Sequence, residues 1–167
     1  MTRERELAFA DELGRFFARQ YGLAPVTGRV LGWLLICDPP TPTAAELAAA
    51  LQASRSAVGT AVDLLEKAAL VRRTRAPGER ADRISVNPNA AEQGLDSPAE
   101  NAALRALAHQ GLEILGDAPP ARRRRLLEMA AFHDFLLERL PALAAEWRER
   151  RDALLASGEL PDDSSSS

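Results

Sequence analysis

The sequence predicts a mainly α-helical protein that carries one small β-hairpin, and three observations predict it. Apolar residues recur at spacings of three and four along most of the 167 residues, as amphipathic helices require. Two side-chain capping signals, Thr43 with Glu46 and then Ser54, open two short helices on either side of Ala53. Directly after them, two runs of strand-forming residues flank a Pro77-Gly78 turn signal.

Taken in order, Leu7, Ala10, Leu13, Phe17 and Tyr21 mark one face of a helix over 2–21, which Phe9 and Phe16 widen and Gly22 ends. Pro25 suits the first turn of a second helix that is apolar on nearly every side through Val26, Val30, Leu31, Trp33, Leu34 and Leu35 to Cys37. Gly28 and Gly32, four apart, leave one of its faces bare for the close approach of another helix. After the rigid break at 38–42, one helix runs from the Thr43 cap to about Gln52 and another from the Ser54 cap to about Ala68. Two short helices across a tight turn make a helix-turn-helix. Strands are expected over 70–75 and 82–86, around the turn Ala76 to Arg80.

The last third is helical again. Ser97 to Glu100 combines a capping box with proline at the first helical position, and the stripe Leu104, Leu107, Gly111 and Leu115 carries that helix to Gly116. Beyond Asp117 to Pro120, the positions Phe132, Leu136, Leu140, Leu143, Trp147 and Leu154 suit packing along another helix, with Pro141 expected to kink or restart the run. The final Pro161-Asp162-Asp163 and four serines read as a disordered tail.

Composition narrows the function. With 46% hydrophobic and 27% charged residues the chain is globular. It has no apolar run of membrane-spanning length and no signal-peptide core, so the cytoplasm is expected and no membrane partner is. Cys37 is the single cysteine, which excludes an internal disulfide or a thiolate zinc cluster; it reads as a small buried hydrophobe, with a redox role as the alternative. His109 and His133 have no metal-ligand spacing, and neither a phosphate loop nor a nucleophile elbow occurs, so catalytic residues, cofactors and metals are not expected. The net charge of -3 means that any nucleic-acid role needs a local basic surface.

Such a surface exists. On the helix that starts after Ser54, Val58, Ala61, Val62 and Leu65 share one face, while Ser56, Gly59, Thr60, Asp63 and Lys67 lie opposite. The small residues of that second face allow the backbone to sit deep in a major groove, with Ser56 and Thr60 reaching base edges or phosphates and Arg55 at the helix start. The hairpin adds Arg72, Arg73, Arg75, Arg80 and Arg83 against Glu79 and Asp82, a local +3 in an acidic protein, suited to DNA phosphates and the minor groove. Glu79 and Asp82 are expected to orient neighbouring arginines. The run Arg122 to Arg125, at a helix start, reads as a solvated face or a flanking contact.

From Leu7 to about Trp147 the chain resembles the GbsR-like branch of the MarR family of bacterial regulators. The resemblance rests on Gly28-Arg29-Val30-Leu31-Gly32-Trp33-Leu34-Leu35, Ala45-Glu46-Leu47-Ala48, Ser54-Arg55-Ser56-Ala57-Val58, Leu64-Leu65-Glu66, the turn Pro77-Gly78-Glu79-Arg80 and Leu140-Pro141-Ala142-Leu143. It implies a winged helix-turn-helix on long dimerisation helices, a homodimer on a pseudo-palindromic operator in double-stranded DNA, and response to a small-molecule effector. The parts expected are a dimerisation helix over 1–23, a DNA-binding domain over 24–90, dimerisation helices over 97–157 and a tail over 158–167. Tyr21, Trp33 and Trp147 could wall an effector site or simply be core. Two departures stand out: Ala69 replaces the glycine usual before the first wing strand, and the reading helix lacks a mid-helix arginine, asparagine or glutamine for bidentate base contact. The competing reading is a winged helix whose basic wing meets an acidic protein rather than DNA.

Overall fold

The computed structural model describes residues 3–75, 77–95 and 98–161. In chain order it contains α1 (Arg3–Tyr21), α2 (Pro25–Leu34), α3 (Ala44–Leu51), α4 (Arg55–Lys67), β1 (Val71–Thr74), β2 (Arg83–Val86), a 3-10 turn (Ala90–Glu92), α5 (Pro98–Leu115) and α6 (Pro120–Ser157). The fold is mainly helical with one antiparallel two-stranded hairpin, the class that the sequence predicts. Contacts divide the chain into two compact units, 1–93 and 94–167.

In the first unit α2 is central. Val30, Leu34, Leu47, Leu51, Val58, Val62, Leu65, Val71 and Ile84 are buried around it, so α2, α3, α4 and both strands share one core. The α1–α2 crossing is made by small residues, with Ala10 and Gly14 of α1 against Gly28 and Gly32 of α2. A Cβ on Gly32 would come within 2.9 Å of the Ala10 Cα, and one on Gly28 within 2.8 Å of the Gly14 Cα. The two backbones therefore touch, which is the approach that the glycine spacing predicts. An Arg29–Asp11 ion pair (2.6 Å) ties the same two helices.

Both capping signals are present. Glu46 N donates to Thr43 Oγ1 (3.2 Å), Thr43 N donates to Glu46 Oε2 (2.7 Å), and Ala57 N donates to Ser54 Oγ (3.1 Å). Between α3 and α4 the chain turns at Gln52, which is left-handed (φ 51°), and Ala53 N reaches back to Ala48 O. Helix α4 ends the same way: Ala69 takes φ 55° while Leu70 N bonds to Leu65 O and Ala69 N to Glu66 O. The strained turn is held from outside by Asn87 Nδ2, which donates to Ala69 O at 2.7 Å. In the hairpin Val71 pairs with Val86 and Thr74 with Arg83, and Ile84 N bonds to Pro42 O, joining the wing to the segment before α3.

The second unit is the α5–α6 hairpin. Helix α6 is continuous across Pro141, so of the two outcomes expected there, a kink or a restart, the restart does not occur. On α5 the buried residues are Asn101, Ala108 and Leu112, whereas Leu107, read as part of the packing stripe, is 56% exposed. The capping signal at Ser97 and the tail over 162–167 lie outside the described residues.

Candidate nucleic-acid interface

Helix α4 is phased by its apolar residues. Val58, Ala61, Val62 and Leu65 are buried, which turns Arg55, Ser56, Thr60, Asp63 and Lys67 outward. Gly59 lies on the same outward side, and no atom lies within 4 Å of where its Cβ would be. Glycine costs a helix about 1 kcal/mol relative to alanine, and no packing inside the unit accounts for it here. The Ser54 cap leaves the first turn of α4 exposed, with the Arg55 side chain in solvent.

The wing arginines are not equivalent. Strand alternation turns Arg73 to the inner side with Val71, where it donates to Asp63 at 2.5 Å and also pairs with Glu66, both on α4. The hydrogen bond to Asp63, opposed by some burial and helped by the Glu66 charge, holds the Arg73 guanidinium above its ordinary pKa. Arg75 pairs with Asp82 (2.7 Å). Arg83 pairs with Glu79 (3.1 Å) and Glu46 (3.4 Å) and donates to Thr41 O, with Glu79 the main cause of its raised pKa. Glu79 and Asp82 thus hold arginines in place, as expected. The Arg72 side chain donates to Ser85 Oγ on the outer side (3.3 Å). Arg55 and Arg80 have no ion pair or side-chain hydrogen bond among the described residues.

The structure therefore brings Arg55, Ser56, Gly59 and Thr60 together on one outward face and places Arg72 and Arg80 on the exposed wing, while Arg73, Arg75 and Arg83 are engaged internally. Sequence reasoning missed Asp63, Glu66 and Glu46 as the groups that tie the wing to the helices. Glu46 carries a lowered pKa, chiefly from the Thr43 amide of the capping box, so it is ionised at neutral pH and available to Arg83.

A cavity of about 260 Å³ opens between α1 and the end of α4, lined among others by Phe17, Tyr21, Thr27, Leu64 and Ala68. Of the three aromatics considered for an effector site, Tyr21 lines this cavity, Trp33 is core with Arg3 over its ring, and Trp147 lies in the second unit. Cys37 is half-buried, and that burial raises its thiol pKa, keeping it protonated at neutral pH. No metal-binding cluster occurs among the described residues, and none of their helices is long and apolar enough to cross a membrane.

Known proteins resemble this chain along most of its length. Residues 21–81 match a MarR family model and residues 90–150 match a model described as an MmpR5-like MarR family transcriptional regulator. The HTH-type transcriptional regulator MmpR5 of Mycobacterium tuberculosis is 39% identical over 124 residues, 74% of each chain. A crystal structure described as a transcriptional regulator superposes with a TM-score of 0.79 at 32% identity, covering 87% of this chain and 99% of the other. With the capped helix pair and the paired wing in place, this agreement identifies a regulator rather than an enzyme, and the chain belongs to the MarR family of winged-helix transcriptional regulators.

Proposed function

We propose that the protein is a cytoplasmic homodimer that sets α4 of each copy into the major groove of a pseudo-palindromic operator and answers to a small-molecule effector. The observation that carries this reading is the outward face of α4. It is bare at Gly59, polar at Ser56 and Thr60, and flanked by Arg55, whose guanidinium has no partner among the described residues. In this reading Ser56 and Thr60 contact base edges, Gly59 lets the backbone approach, and Arg55, Arg72 and Arg80 contact phosphate or the minor groove. Arg73 and Arg83 tie the wing to α4 and α3, and Arg75 braces the hairpin through Asp82. The cavity beside Tyr21 borders Leu64 and Ala68, so an apolar effector there would bias the end of α4. Assignment to the GbsR-like branch rests on the residue runs quoted above alone.

The test compares cognate and random duplexes over a range of salt. Arg80→Ala is expected to weaken both to similar extents and to lower the salt slope by about 1. Thr60→Leu, or Ser56→Leu, is expected to impair the cognate duplex far more than the random one. If Arg80 instead controls discrimination and the helix substitutions are silent, the wing reads the operator. Silence at all three positions would favour an acidic protein as the partner of the wing.

A further inference from the structure

The outward face of α4 carries one acid, Asp63. By helical phase it falls between Gly59 on one side and Ser56 and Thr60 on the other, all within about a third of the helix circumference. A carboxylate on a face that meets DNA is repelled by phosphates, and taking it out of water without a donor costs free energy. Part of that cost is met inside the protein. Arg73 donates to Asp63 Oδ1 at 2.5 Å and is itself held by Glu66, and the Asp63 side chain remains 70% exposed. An ionised carboxylate only accepts, on two oxygens. One of them is fixed by Arg73, and the other, Oδ2, has no hydrogen bond among the described residues.

Gly59, one turn earlier, has no side chain to cover that oxygen, and no atom lies within 4 Å of where its Cβ would be. A helical side chain leans over the turn before its own Cα, so the Asp63 carboxylate borders this bare patch, toward the end of a reading helix that meets base edges. In the major groove the free oxygen can meet few donors. Guanine presents N7 and O6 and thymine presents O4, all acceptors. Adenine has a donor at N6, but its N7 acceptor stands beside it and suits an amide rather than a carboxylate. Cytosine N4 is the donor that a carboxylate matches.

We propose that Asp63 is a specificity-determining residue, whose Oδ2 accepts a hydrogen bond from the N4 amino group of one cytosine in each half-site. This rests on the operator reading above and adds a named base to it. Arg73 is a positioning residue. Held by Glu66, it fixes Oδ1, offsets the carboxylate charge against the phosphates, and leaves little side-chain freedom to be lost when the base is bound. The reading helix lacks a mid-helix arginine, asparagine or glutamine because the group that reads a base there is an acceptor.

Selection of bound duplexes from a randomised pool, with the full-length chain, tests the assignment. The parent is expected to enrich a cytosine at one position of each half-site, preferred about tenfold over other bases. Asp63→Ala should lose the preference at that position alone, and Asp63→Asn should exchange it for adenine, whose N6 and N7 match an amide. Neither should weaken binding to random duplexes, since a negative charge leaves the face that meets phosphates. Glu66→Gln, which loosens Arg73 from beside the stripe, should keep the cytosine. If Asp63→Asn enriches the same bases as the parent and weakens selected and random duplexes alike, Asp63 only clamps the wing, and the proposal is overturned with the operator reading intact. A Glu66→Gln protein that loses the cytosine as completely as Asp63→Ala also overturns it, because the placement of the wing then sets the preference. A parent that enriches no base at any position overturns the operator reading and this assignment with it.

Discussion

Ala69 sits at φ 55°, a conformation that costs an L-residue roughly 1–2 kcal/mol and glycine far less. Its carbonyl is held by Asn87 and its amide by Glu66, so the turn is fixed by its surroundings rather than by its own preference. Ala69→Gly should therefore raise stability by about 1 kcal/mol, seen as a melting temperature a few degrees higher; an unchanged or lower value would mean that the strain is absorbed elsewhere. The strain was legible in the sequence as a missing glycine. The roles of the wing arginines were legible only in part. Glu79 and Asp82 lie close in sequence to Arg83 and Arg75, so local pairing could be anticipated. The Arg73 clamp could not, because Asp63 and Glu66 meet it only after the strand folds back along α4.

Among the elements, the α1–α2 crossing sets two effects against each other at Gly28. Alanine there would add about 1 kcal/mol of helix propensity. Its Cβ would land on the Leu13 carbonyl oxygen and against Gly14, which must move, and overpacking of this kind costs roughly 1–3 kcal/mol. Since the obstacle is backbone rather than a flexible side chain, packing should win, and Gly28→Ala should melt below the parent. A rise would show that the helices can separate at little cost. The phases of α2 and α4 and the caps of α3 and α4 could be read because strong local signals agreed with burial. The phase of α5 was legible only in part: Gly111 lies against Leu126 as the stripe requires, but Ala108 and Leu112 are buried beside it and Leu107 is left outside. Pro141 does not restart α6 because its missing amide removes only one bond from a helix of 38 residues.

At the scale of the molecule, the chain is acidic, yet among the described residues Arg55, Lys67 and Arg80 on or near the outward face of α4 have no ion pair. A single such face has little affinity, so operator binding in the proposed dimer depends on two faces held at a fixed separation. Ending the chain after residue 93, where the first unit closes, should yield a folded monomer whose affinity for the operator is lower by at least about 100-fold. A truncated protein that remains dimeric would assign dimerisation to α1 instead of the α5–α6 hairpin.

The glycine contact between α1 and α2 has a mechanical consequence. Where helices meet through long side chains, rotamer changes can take up a small displacement before it travels further. Here backbone rests on backbone between Gly14 and Gly28 and between Ala10 and Gly32, leaving little such cushion. In the proposed effector response, a tilt of α1 would therefore reach α2 with little loss, and α2 shares its Val30 and Leu34 core with α4. A ligand beside Tyr21 would then act on the face that carries Ser56 and Thr60 through rigid contacts.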